Sequence, residues 1–138
     1  MKKIATILFF LATSFLQGNA QKSDYKVVFD ITSSDPACQK QVVREAGLIK
    51  KNNPDAQVEV VLYGQSLDLI RKDKSGYASD IQSLLKQKGV SFNACQIAME
   101  HHDINPSQLI EGVGVVPDGI YEIVQKQKEG WGYIKISP

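Results

Sequence analysis

Apolar positions along the chain fall into one long run and then a series of short runs separated by turn residues. Ile4 to Leu16 is almost wholly apolar, interrupted by Thr6, Thr13 and Ser14. Met1-Lys2-Lys3 precedes it and Gly18-Asn19-Ala20 follows, the basic, apolar and small-residue layout of a secretory signal. The run is shorter than the roughly 20 residues of a membrane span. No cysteine follows the small residues, so the lipoprotein variant does not fit. Residues 1–20 are therefore expected to be a signal peptide cleaved after Ala20. The product would be an exported protein, periplasmic or secreted, with no membrane attachment after cleavage. Residues 21–138 remain as one domain.

In that domain strand-like and helix-like patterns alternate. Val27 to Ile31 reads as a strand buried on both faces. Asp35-Pro36 then offers a cap and a first-turn proline to a helix striped by Val42, Val43, Ala46 and Ile49. Lys50 and Lys51 suit its negative end, and Asn53-Pro54 stops it. Val58 to Tyr63 predicts a second strand, and Leu67 to Arg71 a short helix. A helix carrying Ile81, Leu84 and Leu85 closes at Gly89. Val90 to Ala94 is a third strand with Cys95 at its end. Gln96 to His102 is helical, and a short helix starts at Asn105-Pro106. Val113 to Val116, Asp118 to Lys128 and Trp131 to Ile136 give a strand, a helix and a last strand. Such alternation predicts an α/β fold, a mainly parallel five-stranded sheet with helices on both faces.

Composition narrows the function classes. Sixteen Lys and Arg face fifteen Asp and Glu, interspersed along the chain. No basic surface for nucleic acid or anionic lipid stands out. The chain has no phosphate-binding glycine motif, no zinc-type cysteine spacing and no Ser/His/Asp arrangement. Gly112-Val113-Gly114 precedes a strand, the wrong context for a dinucleotide turn. No cofactor is implied.

The two cysteines, Cys38 and Cys95, are the candidates for chemistry. Sites in parallel sheets lie beyond the carboxyl ends of the strands. Both cysteines fall at that edge, after the first and third strands. Cys95 leads into a helix whose free N–H groups favour a thiolate; the alternative is a buried, inert thiol. Cys38, in the first turn of the helix capped by Asp35, is a candidate resolving thiol or an idle one. Cys95, Met99 and His102 share one helical face at i, i+4 and i+7. Thiolate, thioether and imidazole together would suit copper(I), although a methionine at that spacing is more often core. Trp131, Tyr133 and Tyr121 could line a pocket or fill the core.

Several segments carry a resemblance. They are Val27-Val28-Phe29 with Ser34-Asp35-Pro36; Val58-Glu59-Val60-Val61 with Tyr63-Gly64; Gly89-Val90-Ser91-Phe92 running into Ala94-Cys95; Val113 to Pro117 with Gly119; and Glu129-Gly130-Trp131-Gly132-Tyr133-Ile134. Together they resemble the DsrE/DsrF-like family, in the branch whose members often carry export signals. The resemblance implies a three-layer α/β/α sandwich with the second strand between the first and third, and homo-oligomers, trimers or larger. It also implies persulfide transfer on a cysteine after the third strand, the position of Cys95. The sulfur or thiol partner is not legible. On that strand order, Cys38 and Cys95 are not expected to form a permanent disulfide. Three functions stay open: a reactive thiol at Cys95, a non-catalytic oligomeric or small-ligand-binding module, and a copper site. A closed apolar shell around Cys95 would favour the module.

Overall fold

The computed structural model describes residues 24–138. The signal peptide expected over residues 1–20 lies outside them. Five strands, β1 (Lys26–Ile31), β2 (Gln57–Leu62), β3 (Val90–Cys95), β4 (Gly114–Val116) and β5 (Gly132–Ile136), form one sheet. All its pairings are parallel, in the order β4-β3-β2-β1-β5. The α-helices are α1 (Pro36–Asn52), α2 (Ala78–Leu85), α3 (Gln96–His101) and α4 (Gly119–Lys128).

Local sequence accounts for the main boundaries. The Asp35 carboxylate accepts from the Ala37 N–H at 2.6 Å, and Pro36 opens α1. Asp118 caps α4 by accepting from Ile120 and Tyr121. The helix expected at Leu67–Arg71 is instead a 3-10 segment over Gly64–Ile70. Ser66 anchors this segment. Its buried hydroxyl donates to the carbonyl of Ile31 (2.7 Å) and contacts that of Tyr63 (2.9 Å), tying the segment to the ends of β1 and β2.

Chain direction explains an asymmetry between the layers. From β1 to β4 each crossover steps one strand the same way. Right-handed crossovers then place α1, α2 and α3 on one face of the sheet. The β4-to-β5 connection runs back past three strands, so the same handedness puts α4 on the opposite face. The packing agrees. Val42, Ala46, Ile81, Leu84 and Met99 join Phe29, Val60 and Phe92 in the main core. The second core is small: Val28, Val61 and Ile123, edged by Tyr63 and Trp131.

Lys50 departs from the surface role expected of a lysine at a helix end. It is buried, and its ammonium donates to the carbonyls of Pro54, Ala56 (2.7 Å) and Lys88 (2.8 Å). Three N–H donors meet three acceptors, clamping the end of α1 to the starts of β2 and β3. Burial lowers its pKa, with Asp55 partly opposing. Lys50→Met should cost about 1–3 kcal/mol of unfolding free energy, because it strands those carbonyls. Denaturant titration showing unchanged stability would contradict the clamp.

Candidate functional site

Strand alternation divides the sheet's side chains. Val27, Phe29 and Ile31 face the main core, while Val28 and Asp30 face α4. Register puts Val28 beside Glu59 and Tyr133, Glu59 beside Ser91, and Asn93 beside Gly114. The α4 face is therefore studded with polar groups. The Asn93 amide donates to Glu59 Oε1 at 2.8 Å, and Lys126 of α4 meets Glu59 Oε2 at 3.1 Å. Glu59 is 3% exposed at its side chain, so this pair is the polar anchor of α4. Lys126 also lies 3.5 Å from Glu122 and 4.8 Å from the Trp131 ring centre. Burial alone would lower the Lys126 pKa, but the carboxylates of Glu59, Glu122 and Glu129 outweigh it and raise it. Burial, then the charge of Glu59, raises Glu122.

Gly114 and Gly119 make close approach possible. A Cβ at Gly114 would sit 2.3 Å from Asn93 Oδ1, so the bare backbone leaves room for that amide. A Cβ at Gly119 would come within 3.1 Å of Cys95 Cβ and of Val61 Cγ1, and 3.5 Å from the Tyr63 ring. The first turn of α4 thus lies directly against Cys95.

Cys95 ends β3 and is 6% exposed. It lines a cleft of about 490 Å³ with Tyr63, Ile97, His101, Asp118 and Ile120. Ile97 (52% exposed) and Ile120 (60% exposed) present apolar surface there, and His102 also borders the cleft. A thiol, two imidazoles and a phenol thus border one largely apolar space.

Behind Tyr63 lies a second polar group. Asp30 is buried; its Oδ2 accepts from the Tyr133 hydroxyl at 2.6 Å and from Lys135 at 3.2 Å. Its Oδ1 has no hydrogen-bond partner among the described residues. Burial, reinforced by the Asp30 carboxylate, pushes the Tyr63 hydroxyl above the ordinary phenol range. The hydrogen bond to Asp30, then burial, pushes Tyr133 up to about 12.

The residues singled out from sequence are not all gathered here. Cys38 (2% exposed) packs in the main core, with the sheet between it and Cys95. Both cysteines are free. Met99 also turns into the main core, α3 ends at His101, and His102 is exposed. The helical face proposed for copper(I) is thus split between core and surface. Among the described residues no three His, Cys, Asp or Glu side chains cluster to hold a metal ion. Tyr133 serves Asp30, Trp131 lies against Lys126, and Tyr121 is exposed. The sequence pattern points to His102 only as a copper(I) ligand and does not single out Tyr63, Asp30 or His101. The available signal was the polar residue at alternate positions of β1, β2 and β3.

Comparison with known proteins now identifies the fold's lineage. The chain matches the DsrE/DsrF-like family over residues 26–136. It belongs to that family. It is similar to MTH1491, a protein of unknown function from Methanobacterium thermoautotrophicum, with 34% identity and a TM-score of 0.76. That alignment covers 81% of this chain and 99% of the other. BT1422 of Bacteroides thetaiotaomicron, also of unknown function, shares the fold at 22% identity and a TM-score of 0.69, covering 86% of this chain and all of its own. The ychN protein of E. coli shares it at 14% identity and 0.66, covering 80% and 97%. No curated protein matches the chain. The DsrE-like sandwich is thus established, with five parallel strands between helical layers.

The Asp30 group makes a testable statement about Tyr133. A phenol whose pKa is raised by folding is favoured in its neutral form. Its stabilising contribution is therefore present below about pH 10 and lost as pH climbs through about 12. Ultraviolet titration of the native protein should show one phenol ionising near pH 12, absent in Tyr133→Phe and returned toward about 10 in Asp30→Asn. An Asp30→Asn profile identical to the parent's would refute the hydrogen-bond origin.

Proposed function

We propose that this exported DsrE-like domain carries sulfane sulfur on Cys95, or exchanges disulfides there. The observation that supports this best is the position of Cys95, ending a central strand at the base of an apolar cleft bordered by His101 and His102. In the transfer step, the Cys95 thiolate attacks the outer sulfur of a donor persulfide, R–S–SH. The donor's S–S bond breaks, a Cys95 S–S bond forms, and R–S⁻ leaves to take a proton from water. No net oxidation occurs. A mobile donor and acceptor are required, since Cys38 lies across the sheet and any resolving thiol is best supplied from outside. The signal layout of residues 1–20 supports a site of action outside the cytoplasm.

A second reading has its own support. Cys95 is nearly enclosed, and Ile120, Tyr121 and Val124 expose apolar surface along α4. A non-catalytic module that self-associates or holds a small apolar ligand in the cleft would use both features. Self-association, as a trimer or larger, is compatible with either function. Sedimentation should then show a species at least three times the mass of one chain at micromolar concentration; a monomer would refute the assembly.

The two functions separate on sulfur loading. After exposure to a small persulfide donor under native conditions, intact mass should rise by one sulfur atom in the parent and in Cys38→Ser. Cys95→Ser should show no gain. Loading that survives in Cys95→Ser, or no loading in the parent, would leave the module as the better reading.

A further inference from the structure

The cleft of Cys95 has one wall that is held differently from the others. α1 buries Cys38, Val42, Val43, Ala46 and Lys50. α4, of comparable importance to the sandwich, buries only Gly119 and Ile123 of its ten residues. Ile123 is its one large apolar anchor, set on Val28 and Val61. The remaining hold is electrostatic: Lys126 to Glu59, with Asn93 steadying the carboxylate. Segments with few buried apolar contacts open at low free-energy cost. Gly119, at the other end of this helix, lies close against Cys95.

We infer that α4 is a strap over Cys95, held shut by Lys126 on Glu59, and that its release sets how fast Cys95 reacts. A nearly enclosed thiol cannot align with a persulfide or disulfide without motion of a neighbouring element. The other walls, the 3-10 segment at Gly64 and Gln65 and α3 at Ile97, Ala98 and His101, are rooted in the main core through Leu67, Leu69 and Met99. α4 is the wall that can move without disturbing the main core, because that core lies on the opposite face. Lys126 sits about two helical turns from Gly119, so loosening the anchor tilts the whole helix rather than fraying one end.

The inference rests on Cys95 being the reacting thiol, and Cys38 is the control. It lies in the main core and should not sense α4. The experiment is brief labelling of the folded full chain with iodoacetamide, followed by peptide mapping. It reads the rate ratio of Cys95 to Cys38. Lys126→Met, which leaves Glu59 without its cation, should raise the ratio about tenfold, the factor that corresponds to about 1.4 kcal/mol. Asn93→Ala, a milder loss on the same carboxylate, should raise it by a smaller factor. Global unfolding exposes both thiols and drives the ratio toward one, so it cannot imitate the effect. A parent ratio above one that neither variant increases would overturn the strap and leave the reactive thiol standing. A parent ratio at or below one would remove the reactive-thiol reading itself.

Discussion

A buried carboxylate on a central strand needs a cation, and here the requirement shapes half of the molecule. Glu59 lies in β2 with two strands to one side and two to the other. Its carboxylate finds Lys126 at 3.1 Å and the Asn93 amide at 2.8 Å. An ion taken out of water without such partners costs several kcal/mol. α4 must therefore lie where Lys126 can reach Glu59. That position brings Gly119 against Cys95, and the absence of a side chain at Gly119 lets the helix settle there. The α4 wall of the thiol cleft thus depends on the placement of one charge.

Topology supplies the other half of the argument. Handed crossovers send three helices to one face and α4 to the other. The crowded face builds a dense apolar core that stabilises the domain. The sparse face keeps polar residues on the strands, a small apolar core and the Cys95 cleft. The main apolar core and the Cys95 cleft thus lie on opposite sides of one sheet. Cys38 and Cys95 illustrate the division: at the same strand edge, one packs in the main core and the other, nearly enclosed, lines the cleft beside α4. The three-ten turn pinned by Ser66 contributes Gly64 and Gln65 to that space, linking the main core to the cleft.

Much of the fold was legible because its signals are local. Asp35-Pro36 and Asp118 mark helix starts through capping and first-turn geometry, which depend on a few neighbouring residues; Gly89, expected to close α2, instead turns at positive φ into β3, beyond the end of α2 at Leu85. Cys95 at the end of β3 was legible for the same reason, and family resemblance added the strand order. The α4 face was harder to read. Val27 to Ile31 looks like a strand buried on both faces, and it is; Asp30 is held there through one carboxylate oxygen by Tyr133 and Lys135, more than 100 residues away in the chain. Glu59 and Lys126 are likewise partners only after the long β4-to-β5 crossover has folded back. Lys50 read as a dipole partner because its three carbonyl acceptors come from segments that meet only in the tertiary structure. Period and capping cannot report such pairings.

The central claim is that the Glu59–Lys126 contact fixes α4 to the sheet, and a double-mutant cycle measures that contact directly. Unfolding free energies of the parent, Glu59→Gln, Lys126→Met and the double variant isolate the pair from the helix's other contacts. A buried anchor predicts a coupling energy of at least about 1 kcal/mol, each single change being more harmful than the two together imply. Additivity within about 0.3 kcal/mol would mean that the pair does not hold α4, and that the cleft beside Cys95 owes its shape to something else.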